Sequence, residues 1–135
     1  MQEIHKVCII DDDPIFVFGL QRFLKIAHLG DEFIHYPNGK LALEGLRGYH
    51  EEHNSLPDLI LVDLNMPVMD GWQFLEHFGR ELNQEGQLVF IISSSIDMAD
   101  IKRAKKFPFV KEFVYKPVTS EKLKQLVAKY SDPVV

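Results

Sequence analysis

Leu59-Ile60-Leu61-Val62 is a continuous apolar run that stops abruptly at Asp63. Apolar residues in succession, without polar alternation, suit a strand covered on both faces, as in a parallel sheet packed between helices. Val7-Cys8-Ile9-Ile10 repeats the pattern and stops at Asp11-Asp12, and Leu88-Val89-Phe90-Ile91-Ile92 repeats it again before Ser93-Ser94-Ser95. Two shorter strands are expected at Glu32–Tyr36 and Glu112–Tyr115, the second ending at Lys116-Pro117.

Helical patterns lie between these runs. Asp13 followed by Pro14 reads as an N-cap with proline in the first turn, and Phe16, Leu20, Phe23, Leu24 and Ala27 recur at helical spacing until Gly30. Asn38-Gly39 opens a second helix through Leu41, Ala42, Leu43 and Leu46. The polar stretch 48–57 has no apolar period and reads as a surface loop or frayed helix end. Further helices are expected through Trp72, Leu75, Phe78 and Leu82, from Met98 to Phe107, and through Leu123, Leu126 and Val127. Strands alternating with helices imply an α/β fold, with right-handed crossovers and helices on both faces of the sheet.

With 135 residues, 46% of them hydrophobic, the chain suits one domain and one sizeable core. A net charge of -5 argues against broad nucleic-acid binding, which needs surplus Lys and Arg. A single cysteine, Cys8, precludes an internal disulfide and fits a reducing cytoplasm. The N-terminal residues resemble neither a signal peptide nor a membrane span, so a cytoplasmic location is expected.

Parallel sheets of this kind carry their sites at the carboxyl ends of the strands. There the sequence presents Asp11 and Asp12, then Asp63, then Ser93, then Lys116. Each alone has an ordinary explanation as a cap, loop residue or strand exit, and Asp13 is read as the helix cap. Nothing in folding requires those residue types at successive strand ends. Converging carboxylates repel one another unless a cation compensates, and an all-oxygen donor set selects a hard cation such as Mg²⁺. A lysine and a hydroxyl beside such a site can hold phosphoryl oxygens, and the middle carboxylate can act as nucleophile.

These residues stand in the motifs Ile9-Ile10-Asp11-Asp12-Asp13-Pro14, Pro57-Asp58 through Asp63-Leu64-Asn65-Met66-Pro67-Val68-Met69-Asp70-Gly71, Ile92-Ser93-Ser94 and Tyr115-Lys116-Pro117. On them the chain resembles the receiver domains of two-component response regulators, from about Lys6 to Tyr130. The resemblance implies a flavodoxin-like, doubly wound five-stranded parallel sheet of order 2-1-3-4-5 filling a single domain over residues 1–135, with its core at about 6–130. It implies that Asp63 accepts a phosphoryl group from a histidine kinase or a histidine phosphotransfer protein. Asp12 and Asp63 would bind Mg²⁺ directly, Asp11 through water, and Asn65 through its backbone carbonyl. Ser93 would be the switching hydroxyl, Lys116 the phosphoryl-pairing lysine, Pro117 a cis proline, and Phe113 the aromatic switch residue.

The output would pass to a protein effector through the fourth helix, fifth strand and fifth helix. Lys102, Arg103, Lys105, Lys106 and Lys122 fall on those elements, and a merely solvated surface accounts for them equally well. Phe109-Val110 and Tyr115 depart from the family's smaller residues and are expected to crowd that face. Such a protein is a phosphoacceptor rather than a turnover enzyme. The rivals are an interaction module independent of phosphorylation and a haloacid-dehalogenase-like phosphatase built on Asp11 and Asp13. The second lacks a later acidic pair and a cap domain. His50-Glu51-Glu52-His53 sets its histidines one residue too close for a helical zinc motif. No output segment is expected after Tyr130, since Ser131–Val135 close the sequence.

Overall fold

In the computed structural model, which describes residues 3–84, 86–95 and 97–130, each apolar run divides between two cores according to the twofold period of a strand. The expectations for Ser131–Val135 lie outside those residues. The strands are β1 (Lys6–Ile10), β2 (Glu32–Tyr36), β3 (Leu59–Val62), β4 (Leu88–Ser93) and β5 (Val110–Tyr115). Val7 and Ile9, Leu59 and Leu61, and Leu88, Phe90 and Ile92 point to one side of the sheet. Cys8 and Ile10, Ile60 and Val62, and Val89 and Ile91 point to the other. This division explains why the runs show no polar alternation: both faces are covered.

All strand pairs are parallel and the order is β2-β1-β3-β4-β5, the flavodoxin-like arrangement. Helices α1 (Pro14–Ile26) and α5 (Ser120–Ala128) cover the first face, with Val17, Leu20, Leu24, Leu123, Leu126 and Val127 inward. Helices α2 (Gly39–His53) and α3 (Gly71–Glu81) cover the second, joined by Ala104 of the short α4 (Met98–Ala104). The chain order reverses between β1 and β3, so a crevice opens at their carboxyl ends.

The expected cap at Asp13 and the expected helix opening at Asn38 are present, and Asp70 adds a cap that was not expected. Asp13 accepts from the backbone of Ile15 and Phe16 with Pro14 following it, Asn38 accepts from Leu41, and Asp70 forms a capping box with Gln73. Two expectations need correction. The stretch 48–57 is helical as far as His53, because α2 needs no apolar residue once Leu46 has passed the core; Tyr49 and His53 stack on it at 4.2 Å, and Asn54 ends it in a left-handed conformation. Phe23 and Leu41 are exposed, and Val17 fills the inward position of α1 instead. Phe109 turns toward α3, where its ring lies against Gly79 and 5.4 Å from that of Phe78, and it also packs 6.0 Å from the ring of Phe107 just after α4. Among the described residues, no helix is long and apolar enough to cross a membrane.

Candidate phosphoacceptor site

The sheet ladder itself places the polar residues. The amide of Asp11 donates to Tyr36 O at 3.1 Å, that of Asp63 to Ile10 O at 2.9 Å, and that of Lys116 to Ser93 O at 2.9 Å. Each residue is therefore held by one more rung beyond the regular strand. Asp11, Asp63 and Ser93 are buried, whereas Asp12 and Asn65 are exposed.

Carboxylate oxygens of Asp11, Asp12 and Asp63 lie within 4.8 Å of one another. Lys116 reaches in from β5, its Nζ 3.1 Å from Asp11 Oδ2 and 3.7 Å from Asp63 Oδ1. One ammonium among three carboxylates leaves negative charge uncompensated. Burial first, then repulsion from Asp11 and Asp12, pushes the Asp63 carboxyl up to about 6, against the opposing pull of Lys116 and the Leu64 backbone amide. The donor set is all carboxylate oxygen, without nitrogen or sulfur, and its residual charge suits a small divalent cation.

Asp13 is spent on the α1 cap, its Oδ1 accepting from Ile15 and Phe16 at 3.0 and 3.3 Å, which removes the Asp11/Asp13 pairing that a phosphatase would need. The Ser93 hydroxyl is fully buried and accepts from the Ser95 amide at 3.0 Å. The peptide bond between Lys116 and Pro117 is cis. Phe113 is half-buried on β5, 5.4 Å from the ring of exposed Tyr115. The five basic residues Lys102, Arg103, Lys105, Lys106 and Lys122 are exposed, and the Arg103 guanidinium lies 4.6 Å over the Trp72 ring.

The family described as the response regulator receiver domain matches residues 7–128. This chain belongs to it. The receiver is 30% identical over 95 residues to the probable methanogenesis regulatory protein FilR2 of Methanothrix harundinacea, a match spanning 70% of this chain and 61% of the relative. It is 31% identical over 123 residues to the Regulator of RpoS of Escherichia coli, spanning 90% of this chain and 33% of that protein. The chain thus covers less than two thirds of these curated relatives. A two-component response regulator from Cytophaga hutchinsonii superposes with a TM-score of 0.85 at 28% identity, covering 95% of this chain and 97% of that one.

Three contributors to the receiver's site escaped the sequence reading. His35, in register with Ile9 across β1 and β2, donates from Nε2 to the Asp11 carbonyl at 2.7 Å. Gly71 lets α3 approach the loop that follows Asp63, since a Cβ there would lie 2.4 Å from the Asp63 carbonyl oxygen. Phe16, noted only as one of the apolar residues at helical spacing, turns its ring to Lys116. A glycine after the Asp70 cap was a usable signal; the other two depend on strand order and helix phase.

Proposed function

We propose that the receiver is a phosphorylation switch with Asp63 as its acceptor, a reading carried by the junction of three carboxylates and one lysine at the β1–β3 crevice. Asp12 and Asp63 would hold Mg²⁺ directly, with Asp11 acting through water and the Asn65 backbone carbonyl completing the protein donors. Bound there, Mg²⁺ supplies positive charge to the oxygens of the phosphoryl group.

The carboxylate of Asp63 attacks phosphorus in a phosphohistidine of a histidine kinase or phosphotransfer protein. An O–P bond forms and the P–N bond breaks, its electron pair returning to the imidazole nitrogen. Lys116 neutralises charge on the transferred oxygens, and water later cleaves the acyl phosphate to carboxylate and inorganic phosphate. Ser93 would leave the Ser95 amide and donate to a phosphoryl oxygen. Phe113 would follow it and so bias the surface of α4, β5 and α5 between two states that an effector distinguishes. The exposed basic residues of α4, of the turn after it and of α5 suit an acidic effector surface. The reading makes the chain a cytoplasmic phosphoprotein with self-dephosphorylation, not an enzyme acting on an external substrate.

Incubation with acetyl phosphate, with and without Mg²⁺, followed by intact mass spectrometry tests the acceptor. One phosphoryl group should be gained only with Mg²⁺ and not by Asp63→Ala. No gain under either condition would leave an interaction module independent of phosphorylation as the better account.

A further inference from the structure

Lys116 reaches the acid site on a flexible four-carbon stem, which would otherwise sample many positions over the crevice. Its ammonium is nevertheless enclosed on three sides. Asp11 Oδ2 lies at 3.1 Å, Asp63 Oδ1 at 3.7 Å, and the centroid of the Phe16 ring at 4.0 Å. The other cation–aromatic pairs among the described residues, centred on Tyr49, Phe18, Phe33 and Trp72, are longer, at 4.6 to 5.8 Å.

We propose that Phe16 is a positioning residue for Lys116, its ring face holding the ammonium beside Asp63 without neutralising it. The ring is itself well fixed. The Phe16 amide is tied to the Asp13 cap at 3.3 Å, and its side chain packs, half-buried, against the core beneath α1 and α5. It also lines a cleft with Pro117 and Val118, the two residues that follow the lysine. The ring thus stands at the mouth of that cleft, with the lysine head over its face.

The choice of an aromatic residue has a physical reason. An aliphatic side chain here would strip water from the ammonium and return nothing. A third carboxylate would compete with the phosphoryl oxygens for the same protons. The negative face of a ring attracts the cation yet carries no net charge, so the full positive charge stays available to an oxygen arriving on Asp63.

This inference rests on the acceptor reading above, and two independent measurements on the full chain separate their failures. The first is the rate of phosphoryl gain from acetyl phosphate with Mg²⁺, compared for wild type, Phe16→Leu, Phe16→Tyr, and 3,5-difluorophenylalanine placed at position 16. Loss of the ring should slow the reaction by about three- to tenfold, as expected for a partly solvated cation–π contact. Phe16→Tyr, which keeps the ring face, should recover most of that loss, and the isosteric difluoro ring should fall between. The second is the ¹H–¹³C signal of the Lys116 ε-methylene, assigned by its disappearance in Lys116→Arg. It should be shifted upfield by the ring in wild type and return to the ordinary lysine position in Phe16→Leu. Wild-type rates in both the Leu and difluoro proteins, or an ε-methylene signal that Phe16→Leu does not move, would overturn the proposal. Should Phe16→Leu fail to fold, the difluoro ring, which keeps the shape and weakens only the quadrupole, decides by the same rate. A wild-type protein that gains no phosphoryl group sinks the acceptor reading instead, and the ε-methylene shift still decides whether Phe16 holds the lysine.

Discussion

Replacing Asp63 by Asn should stabilise the metal-free fold, because the native state holds that carboxylate at a disadvantage. Its carboxyl is raised from 3.8 to about 6 by burial and by its acidic neighbours. At about 1.4 kcal/mol per pKa unit, the shift corresponds to roughly 3 kcal/mol. Solvent reaching the crevice past exposed Asp12 screens the repulsion, leaving about 1 to 2 kcal/mol. For a domain of this size that raises Tm by roughly 4 to 8 °C. The sign follows from linkage: a raised carboxyl pKa means that the native state binds the proton more tightly than the unfolded chain. Wild-type stability therefore falls as pH climbs from 3.8 through about 6, and the deficit is complete above that range. Asp63→Asn has no such deficit. Its advantage should be full at pH 7.5 in chelator and disappear near pH 3.5, and Mg²⁺ should stabilise wild type more than the variant. Calorimetry across that pH series gives the answer. An Asn protein no more stable than wild type at pH 7.5, or one whose advantage is equal at both ends of the series, refutes the electrostatic reasoning.

Three smaller perturbations probe the loops around the site. In Gly71→Ala the new Cβ would meet backbone at 2.4 Å, where no flexible side chain can yield; urea unfolding should show a loss of about 1 to 3 kcal/mol, with slower phosphoryl gain by mass spectrometry. Val68 is a β-branched residue at φ 69° on the β3–α3 loop, so Val68→Asn should gain about 1 kcal/mol in the same urea titration. Asp100 accepts from the Ser95 hydroxyl at 2.6 Å and so ties α4 to the loop after Ser93; Asp100→Ala should speed amide exchange at Ser95 and Asp97 by about tenfold or more, and unchanged exchange would show that the bond restrains nothing.

Much of this fold was legible because two-sided burial leaves a plain mark. Strands β1, β3 and β4 lie between two cores, so their middles are apolar on both faces and polar residues gather at their carboxyl ends, where they are free to be functional. Helix starts were legible for a related reason: Asp13 and Asn38 each answer to backbone donors within three residues, so the partner is local. Helix length and facing were less so. The second half of α2 buries nothing of its own beyond Leu46 among its core residues, and a helix without an inward stripe cannot be told from a polar loop by periodicity. Phe16, Val17, Leu20, Phe23 and Leu24 offer two overlapping stripes, and only the placement of α5 beside α1 selects Val17 over Phe23.

The site divides along the same line. Asp11, Asp12, Asp63, Ser93 and Lys116 could be named in advance because each ends a strand, and a parallel sheet delivers its strand ends to one edge whatever the strands' distance in sequence. The groups that orient them obey no such rule. His35 reaches Asp11 only because β2 lies outside β1, and Phe16 reaches Lys116 only because the segment after β5 leads into α5, which lies with α1 on one face of the sheet. The strand-end residues stand in motifs, whereas the supporting contacts are made by whichever side chain the packing brings within reach. Related receivers can therefore share the acid pair, acceptor, hydroxyl and lysine and still differ in how rigidly the lysine is held; in this chain that rigidity comes from an uncharged ring 4.0 Å away.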